Sequence, residues 1–177
     1  MLRFETERLL LRPLEREDIF AVVDLWTDPQ VTSFLGGPRD RDQVAAALEE
    51  ELLVQPREPF ELCSVFEKAS GDLVGHCGLL EKEVQGRTEF DLVYVFARSA
   101  WGRGYATEIG RALIRFAFEQ VDLTRVVCLI EPENMASRRV AEKIGMLSHG
   151  QIKRPGDRIV ELYMLAQPEW RATVLSE

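Results

Sequence analysis

The chain contains few of the residues from which metal and disulfide sites are built. Its 177 residues include three cysteines and two histidines. Cys63, Cys77 and Cys128 each lie in an apolar, strand-like run and show no metal-ligand spacing. An odd number of cysteines in such runs predicts buried free thiols in a reducing compartment. We therefore expect neither a metal site nor a disulfide framework.

Long apolar runs and an excess of positive charge are also missing. No hydrophobic run approaches the length of a membrane span, and the N-terminus shows no secretory pattern. Lysine and arginine number 22 against 30 aspartates and glutamates, so the net charge is -8. This balance disfavours nucleic acid as a general partner and is compatible with a cationic substrate. We expect a cytoplasmic protein that contacts neither membrane nor nucleic acid.

The length and composition are those of a globular protein. Hydrophobic residues make up 46% of the chain and charged residues 29%. A chain of 177 residues is long enough for a substantial core. We find no internal repeat, and the short stretch from Pro56 to Pro59 is predicted to be a linker within a domain. The sequence predicts one domain, residues 1–177.

Hydrophobic periodicity and turn residues predict the element order β-α-α-β-β-β-α-β-α-β-β. Alternating and continuous apolar runs indicate strands, and apolar residues three and four apart indicate helices. Gly75 and Gly78 in the middle strand indicate close packing or a bulge. The predicted strands are 4–14, 60–67, 73–81, 88–97, 125–130, 147–153 and 159–165, and the predicted helices are 15–26, 40–54, 105–120 and 135–144.

The stretch Trp101-Gly-Arg-Gly104-Tyr-Ala-Thr-Glu108 joins a strand to a helix. Its glycines free the backbone for a tight turn, and the first amides of the helix have no partner within the helix. Such a turn binds anions, although it can also be a simple connection. It differs from nucleotide-binding loops, because no Gly-Lys-Ser/Thr follows and Thr107 replaces the third glycine of the dinucleotide fingerprint. The local chemistry predicts a phosphate in this turn.

Three blocks of the sequence resemble the GNAT superfamily of N-acetyltransferases. The pattern Trp101-x-x-Gly104-x-Ala106 resembles the pyrophosphate loop of that superfamily, in the form found in the subgroup that acetylates protein N-termini and aminoglycosides. The run from Asn134 to Met146 resembles its second motif, and the opening FETERLLLRPLEREDI is similar to the opening of the subgroup. The resemblance spans nearly the whole chain. It implies the GNAT fold, a central and mostly antiparallel mixed sheet of about seven strands flanked by helices, with acetyl-CoA as co-substrate.

The resemblance also implies a set of cofactor-binding residues. The amides of the turn would hold the pyrophosphate, with Arg103 as a charge partner. The backbone at the end of the preceding strand would lie along the pantetheine and donate to the thioester oxygen. Asn134 would cap its helix and contact the cofactor. Ser137 would lie near the thioester sulfur and bind or protonate the leaving thiolate, although a solvated or capping hydroxyl is an alternative. The implied set is Tyr94, Val95, Phe96, Gly102, Arg103, Gly104, Tyr105, Ala106, Thr107, Asn134 and Ser137.

The implied catalytic residues are Asp91 and Ser137, and here the sequence departs from the family. Asp91 stands where the subgroup usually has a glutamate that could serve as the base for the amine, although a surface carboxylate is an alternative. Glu89, Glu161 or a water chain could also be the base. Many members have a tyrosine acid where this chain has Ala141. For the two histidines we expect a packed His76 and an exposed His149.

The sequence therefore predicts an acetyl-CoA-dependent N-acetyltransferase. We expect direct attack in a ternary complex, on a protein N-terminal amine as first choice and on an aminoglycoside or another small cationic amine as second. The acceptor pocket is expected from residues 28–38, the second helix and the last hairpin. Two other classes stay open, an acyl-CoA-binding sensor without activity and an unrelated nucleotide-binding module. A homodimer through the last hairpin and Trp170 also stays open.

Overall fold

The computed structural model describes residues 3–53 and 60–174. Eight strands form one mostly antiparallel sheet, which is flanked by helices. The segment predicted as a linker, Pro56 to Pro59, lies outside the described residues. The strands are β1 Phe4–Glu5, β2 Leu9–Arg12, β3 Leu62–Glu67, β4 Leu73–Val84, β5 Arg87–Phe96, β6 Arg125–Ile130, β7 Leu147–Lys153 and β8 Ile159–Ala166. The helices are α1 Ile19–Thr27, α2 Arg41–Leu53, α3 Tyr105–Glu119, α4 Met135–Lys143 and α5 Gln167–Val174.

The strand order in the sheet is β1-β2-β3-β4-β5-β6-β8-β7. The pairs β1–β2, β2–β3, β3–β4, β6–β8 and β7–β8 are antiparallel. In contrast, β5 and β6 pair in parallel, with Asp91 opposite Val127. This parallel pair follows from the crossover through α3, which returns the chain to the sheet in the same direction.

The predicted first strand, 4–14, is wrong as a single element. The chain turns back on itself, so that β1 and β2 are antiparallel with Phe4 opposite Leu11. The amide of Thr6 donates to the carbonyl of Leu9 at 2.9 Å, and the Leu9 amide donates to the Thr6 hydroxyl at 3.1 Å. These bonds close a tight turn that apolar periodicity alone does not reveal. A further difference is α5, which the sequence reading did not predict.

Residue contacts divide the chain into two compact units, the first comprising Met1–Gly78 and Tyr94–Ile109. Within it the two strand glycines are required by close packing, as predicted. A Cβ on Gly75 would lie 2.8 Å from the Val95 carbonyl oxygen, and one on Gly78 would lie 1.9 Å from the Glu61 carbonyl oxygen. Helix α1 is anchored by the Trp26 indole, which donates to Nδ1 of His76 at 3.1 Å.

The second unit comprises Leu79–Val93 and Gly110–Glu177. One of its hydrophobic clusters combines the end of β4 with β6, β7 and β8. The Trp170 ring packs on Phe118 with centroids 5.4 Å apart, which ties α5 to α3. Among the described residues no helix combines the length and the apolar character needed to cross a bilayer. The hydrophobic cluster of β4, β6, β7 and β8 has the buried members Val84, Val127, Ile152, Val160 and Leu162.

Candidate active site

The turn before α3 has the backbone geometry of an anion site. Gly102 and Gly104 have φ angles of 72° and 81°, in the left-handed region that favours glycine. The first helical hydrogen bond is donated by Glu108 to the Gly104 carbonyl at 3.1 Å. The four preceding amides, Gly104 through Thr107, therefore have no acceptor within the helix. They lie at the positive end of the dipole of a 15-residue helix.

The space in front of these glycines is open enough for a phosphate. A Cβ built on Gly102 would meet no atom within 4 Å. One built on Gly104 would meet only a guanidinium nitrogen of Arg8, at 3.5 Å. The backbone is thus approachable, so the predicted pyrophosphate-binding residues fit that group at this turn.

Arg103, predicted to be a charge partner of the pyrophosphate, forms an ion pair with Glu67. The Tyr105 hydroxyl donates to the same carboxylate. These bonds, first from Tyr105 and then from Arg103, hold the pKa of Glu67 below its ordinary value, and the bond to Glu67 raises the pKa of Tyr105. The guanidinium of Arg103 neutralises Glu67, and its contact with a phosphate stays a prediction.

Arg8 and Glu108 also hold this turn, and the sequence reading did not single them out. Nε of Arg8 donates to Glu108 Oε2 at 2.7 Å, and Nη1 donates to the Arg103 carbonyl at 2.9 Å. The Thr6 hydroxyl donates to the other Glu108 oxygen at 2.6 Å. Arg8 was visible in the opening motif and Glu108 in the turn motif, but nothing in one sequence joins two positions so far apart.

The end of β5 adjoins the turn within the first unit. The indole of Trp101 donates to the Phe96 carbonyl at 2.8 Å, and the rings of Phe96 and Tyr105 lie 6.4 Å apart. The side chains of Val95 and Phe96 are buried, and that of Tyr94 is half-buried. The burial of Val95 and Phe96 agrees with the interpretation that these side chains belong to the core. That the backbone of this strand end faces a ligand stays a prediction.

In the second unit, Asp91 is buried and fully engaged. It is 3% exposed, so the alternative of a surface carboxylate is wrong. One oxygen contacts the Lys82 ammonium, and the other accepts the Leu129 amide at 3.1 Å. Burial raises the pKa of Asp91 above its ordinary value, against the opposing effect of Lys82. A raised pKa favours a role as proton acceptor near neutral pH.

The other two carboxylates considered as bases have different partners. Glu89 is buried and forms a two-pronged ion pair with Arg125. Glu161 accepts the Ser148 hydroxyl at 2.7 Å and lies 3.5 Å from the Arg138 guanidinium. The carboxylate of Glu89 is thus held by a bidentate arginine.

Asn134 caps α4 as expected. Its side-chain oxygen accepts the amide of Ser137 at 3.1 Å, so the structure brings these two predicted residues together. Ser137 is half-buried one turn into the helix. Ala141 is 0% exposed. At this position many members of the family that the sequence resembles have a tyrosine. A tyrosine could not be accommodated there without repacking.

The cysteines and histidines lie as predicted. All three cysteines are buried, and none of them is in a disulfide. His76 is packed in the core of its unit, and His149 is exposed on β7. The Cys77 thiol donates to the Val95 carbonyl at 3.9 Å, and burial raises its pKa. A thiol in this state is a poor nucleophile.

Comparison with known proteins decides the family. A family model described as "Acetyltransferase (GNAT) domain" matches residues 8–147. The chain belongs to the GNAT family. The predicted activity is confirmed at this level, so the protein is an acetyl-CoA-dependent N-acetyltransferase.

Relatives and solved structures agree with this assignment. YkkB, an uncharacterized protein of Bacillus subtilis, is 33% identical over 142 residues, which cover 80% of this chain and 83% of YkkB. The uncharacterized N-acetyltransferase p20 of Bacillus licheniformis is 28% identical over 91% of this chain and 93% of its own. The crystal structure of an acetyltransferase from Agrobacterium tumefaciens matches with a TM-score of 0.79 at 28% identity, covering 94% of this chain and 95% of that one. The predicted fold class is confirmed.

Proposed function

We propose that residues 1–177 form one domain that transfers the acetyl group of acetyl-CoA directly to a primary amine. The observation that carries the proposal is the turn before α3. Its glycines have positive φ, and the amides from Gly104 to Thr107 have no helical acceptor. Together they suit the pyrophosphate of a coenzyme A thioester.

The residues of this chain then act on the reacting groups in three ways. A backbone amide at Tyr94–Phe96 donates to the acetyl oxygen, where one such donor contributes on the order of 10²–10³ in rate. Asp91 accepts the proton of the amine, directly or through water. Ser137 donates to the departing thiolate, and the absence of a tyrosine at Ala141 leaves this hydroxyl as the acid.

Direct attack is favoured over a covalent acyl-enzyme. A thiol nucleophile needs a lowered pKa and an adjacent base. The three cysteines are buried, and burial raises the pKa of the Cys77 thiol. The one buried histidine, His76, already accepts the Trp26 indole through Nδ1. None of these groups is arranged to accept an acetyl group.

The acceptor we propose first is a peptide or protein N-terminal amine. The opening and turn motifs support it, and so does the putative ribosomal N-acetyltransferase YdaF of Bacillus subtilis, which is 34% identical over 79 residues, or 44% of this chain and 43% of YdaF. A small cationic amine is the second candidate, because the net charge of -8 attracts cations. A spermidine N-acetyltransferase from Vibrio cholerae shares the fold at 18% identity.

The cofactor site can be tested by thermal melts with acetyl-CoA, coenzyme A and ATP. The variant is Gly104→Ala, and its control is Gly86→Ala in the β4–β5 turn. Gly86 has a φ of 75° and open space around its Cβ position, so both changes impose similar backbone strain.

A ligand at about 100 times its Kd should add roughly 2.7 kcal/mol of stability. We expect both CoA species to stabilise the wild type and Gly86→Ala, and neither to stabilise Gly104→Ala. Absence of a shift in the wild type would contradict the proposal.

The acceptor can be identified by following free thiol released from acetyl-CoA. The panel should contain peptides with free N-termini, the same peptides with blocked N-termini, spermidine and an aminoglycoside. We expect turnover with free N-termini that disappears when they are blocked. Turnover with the polyamine or the aminoglycoside alone would select the second candidate, and binding without turnover on any amine would favour a sensor.

A further inference from the structure

One arginine side chain, that of Arg8, contacts three residues of the turn before α3 and of the first turn of that helix. Nη1 of Arg8 donates to the Arg103 carbonyl, and its Nε and Nη2 both lie 2.7 Å from Glu108 Oε2. The guanidinium carbon lies 4.7 Å from the centre of the Tyr105 ring. Arg8 thus touches Arg103 two residues before the helix, Tyr105 at its first position and Glu108 in its first turn.

We propose that Arg8 is a positioning residue for acetyl-CoA, which fixes the direction of the turn amides without itself binding the cofactor. The inference rests on the proposed function of the turn. It differs from the predicted roles of the turn residues, because Arg8 lies between β1 and β2, far away in sequence.

The first argument is the geometry of the peptide bond. The carbonyl of Arg103 and the amide of Gly104 belong to one planar trans peptide, so they point in opposite directions. Because Nη1 of Arg8 holds that carbonyl at 2.9 Å, the Gly104 amide is held pointing away from Arg8. Gly104, like Gly102, has no side chain to restrict its backbone, so without this bond the peptide between Arg103 and Gly104 could rotate. Rotation would remove one donor from the anion site.

The second argument is charge. Glu108 lies in the first turn of α3, where a carboxylate stabilises the helix but repels a bound anion. Burial alone would raise the pKa of Glu108, but the bonds from Thr6 and Arg8 outweigh it and hold that pKa below its ordinary value. Glu108 is therefore ionised at neutral pH, and the Arg8 guanidinium neutralises it. Removal of the guanidinium would leave a negative charge beside the site.

A lysine at position 8 separates these effects from simple loss of charge. Lys carries the same charge on a single point, so it cannot bond the Arg103 carbonyl and the Glu108 carboxylate in the same fork geometry. The matched control is Arg16→Lys. Arg16 also pairs with a glutamate, Glu49, on the surface of the same unit, through one guanidinium nitrogen that contacts both carboxylate oxygens. Both variants replace an arginine of an arginine–glutamate pair, but only Arg8→Lys also affects a bond to a turn carbonyl.

The experiment measures the Kd of coenzyme A by calorimetry and the steady-state constants with acetyl-CoA. For Arg8→Lys we expect Kd and the KM for acetyl-CoA to rise about tenfold, the loss of one charged hydrogen bond, with kcat and the KM for the amine unchanged. Arg16→Lys should match the wild type in every constant. An Arg8→Lys protein that melts lower but binds coenzyme A as tightly as the wild type would show a purely structural role and overturn the inference.

The two proposals fail in different ways. If wild-type protein does not bind coenzyme A, the proposed function of the turn is wrong. If the wild type binds and Arg8→Lys binds equally well, only the positioning role is wrong.

Should Arg8→Lys not fold, Glu108→Gln provides the second test, because it removes the charge that Arg8 neutralises while its amide oxygen can still accept from Thr6. We expect Glu108→Gln to bind coenzyme A at least as tightly as the wild type, and weaker binding with unchanged melting would contradict the charge argument.

Discussion

At the scale of single residues, His76 links the protein's stability to pH. Its Nδ1 accepts the Trp26 indole, so the proton of the neutral ring lies on Nε2. Burial, and to a smaller extent Arg39, lowers the pKa of His76 from 6.5 to about 4. A protonated ring would also turn a donor toward the donor of Trp26.

The sign of the pH effect follows from this lowered pKa. Above about pH 6.5 the histidine is neutral in both the folded and the unfolded chain, and it imposes no penalty. As the pH falls, the unfolded chain takes up the proton first, so the free energy of unfolding decreases until about pH 4. The contribution of this group is about 3 kcal/mol. His76→Asn can keep the acceptor for Trp26 without titrating.

Urea unfolding at several pH values tests this prediction. Between about pH 7 and about pH 4 we expect the wild type to lose about 3 kcal/mol more than His76→Asn. Carboxylates titrate equally in both proteins and cancel in the difference. His149→Asn is the control for the substitution itself, because it replaces an exposed histidine. Parallel curves for the wild type and His76→Asn would show that His76 titrates normally.

Asp91 is the residue on which the chemistry of the amine depends in our proposal. An asparagine in its place can still accept the Leu129 amide, and the Lys82 side chain is part-exposed and can turn toward solvent. Asp91→Asn therefore removes the proton acceptor with little loss of contacts. We expect kcat to fall about 10²–10⁴-fold and the rise of rate with pH to disappear, while coenzyme A still stabilises the protein. Steady-state rates across pH and thermal melts provide the measurements.

Glu89→Gln is the control for Asp91→Asn. Glu89 lies two residues earlier on β5 and is equally buried, but its carboxylate is paired with Arg125. This variant should be less stable, with the shape of the pH profile unchanged. If Asp91→Asn keeps full activity, Asp91 serves only to hold β6 through Leu129, and Glu89, Glu161 or a water chain becomes the base.

At the scale of elements, the sequence predicted the strands and helices where a single pattern dominates. Helix α3 was predicted to start at Tyr105 and does so, because two glycines and an apolar face mark its beginning. The last hairpin, β7 and β8, agrees closely with the prediction, because the turn residues Arg154-Pro-Gly-Asp157 separate its two strands. The prediction failed at β1 and β2, where a turn closed by Thr6 lies within the run that was predicted to be one strand. Side-chain bonds of this kind leave no periodic signal.

The candidate site was predicted only as far as its motifs are local. The turn amides and the cap of α4 by Asn134 depend on neighbours in sequence, and the structure has both. The partners that hold them are distant in sequence, such as Arg8 for Glu108 and Glu67 for Arg103. A sequence without an alignment carries no information on which distant charges meet. The burial of Asp91 was missed because the alternation of β5 does not say that its polar face is covered.

At the scale of the whole molecule, the prediction of one domain has a consequence for unfolding. The contacts define two compact units, yet β4 and β5 each run from one unit into the other. Unfolding either unit alone would break two strands in their middle and expose their backbone groups, which is costly. We therefore expect a single cooperative transition for the described fold.

Tryptophan fluorescence can report the two units separately. Trp26 lies in the first unit against His76, and Trp170 lies in the second against Phe118. Trp101 is 51% exposed and can be replaced by phenylalanine in every variant. Adding Trp26→Phe leaves Trp170 as the only tryptophan, and adding Trp170→Phe instead leaves Trp26.

In each variant, the fluorescence transition in urea is compared with the circular dichroism transition of the same protein. Any loss of stability from the substitutions then cancels, because both signals come from one sample. We expect the two midpoints to coincide for Trp26 and for Trp170, which is the behaviour of one cooperative domain. If the Trp170 signal changes at a different urea concentration from the circular dichroism, the second unit unfolds by itself. The strand continuity through β4 and β5 would then be weaker than the backbone argument requires, and the proposal of one domain would fail.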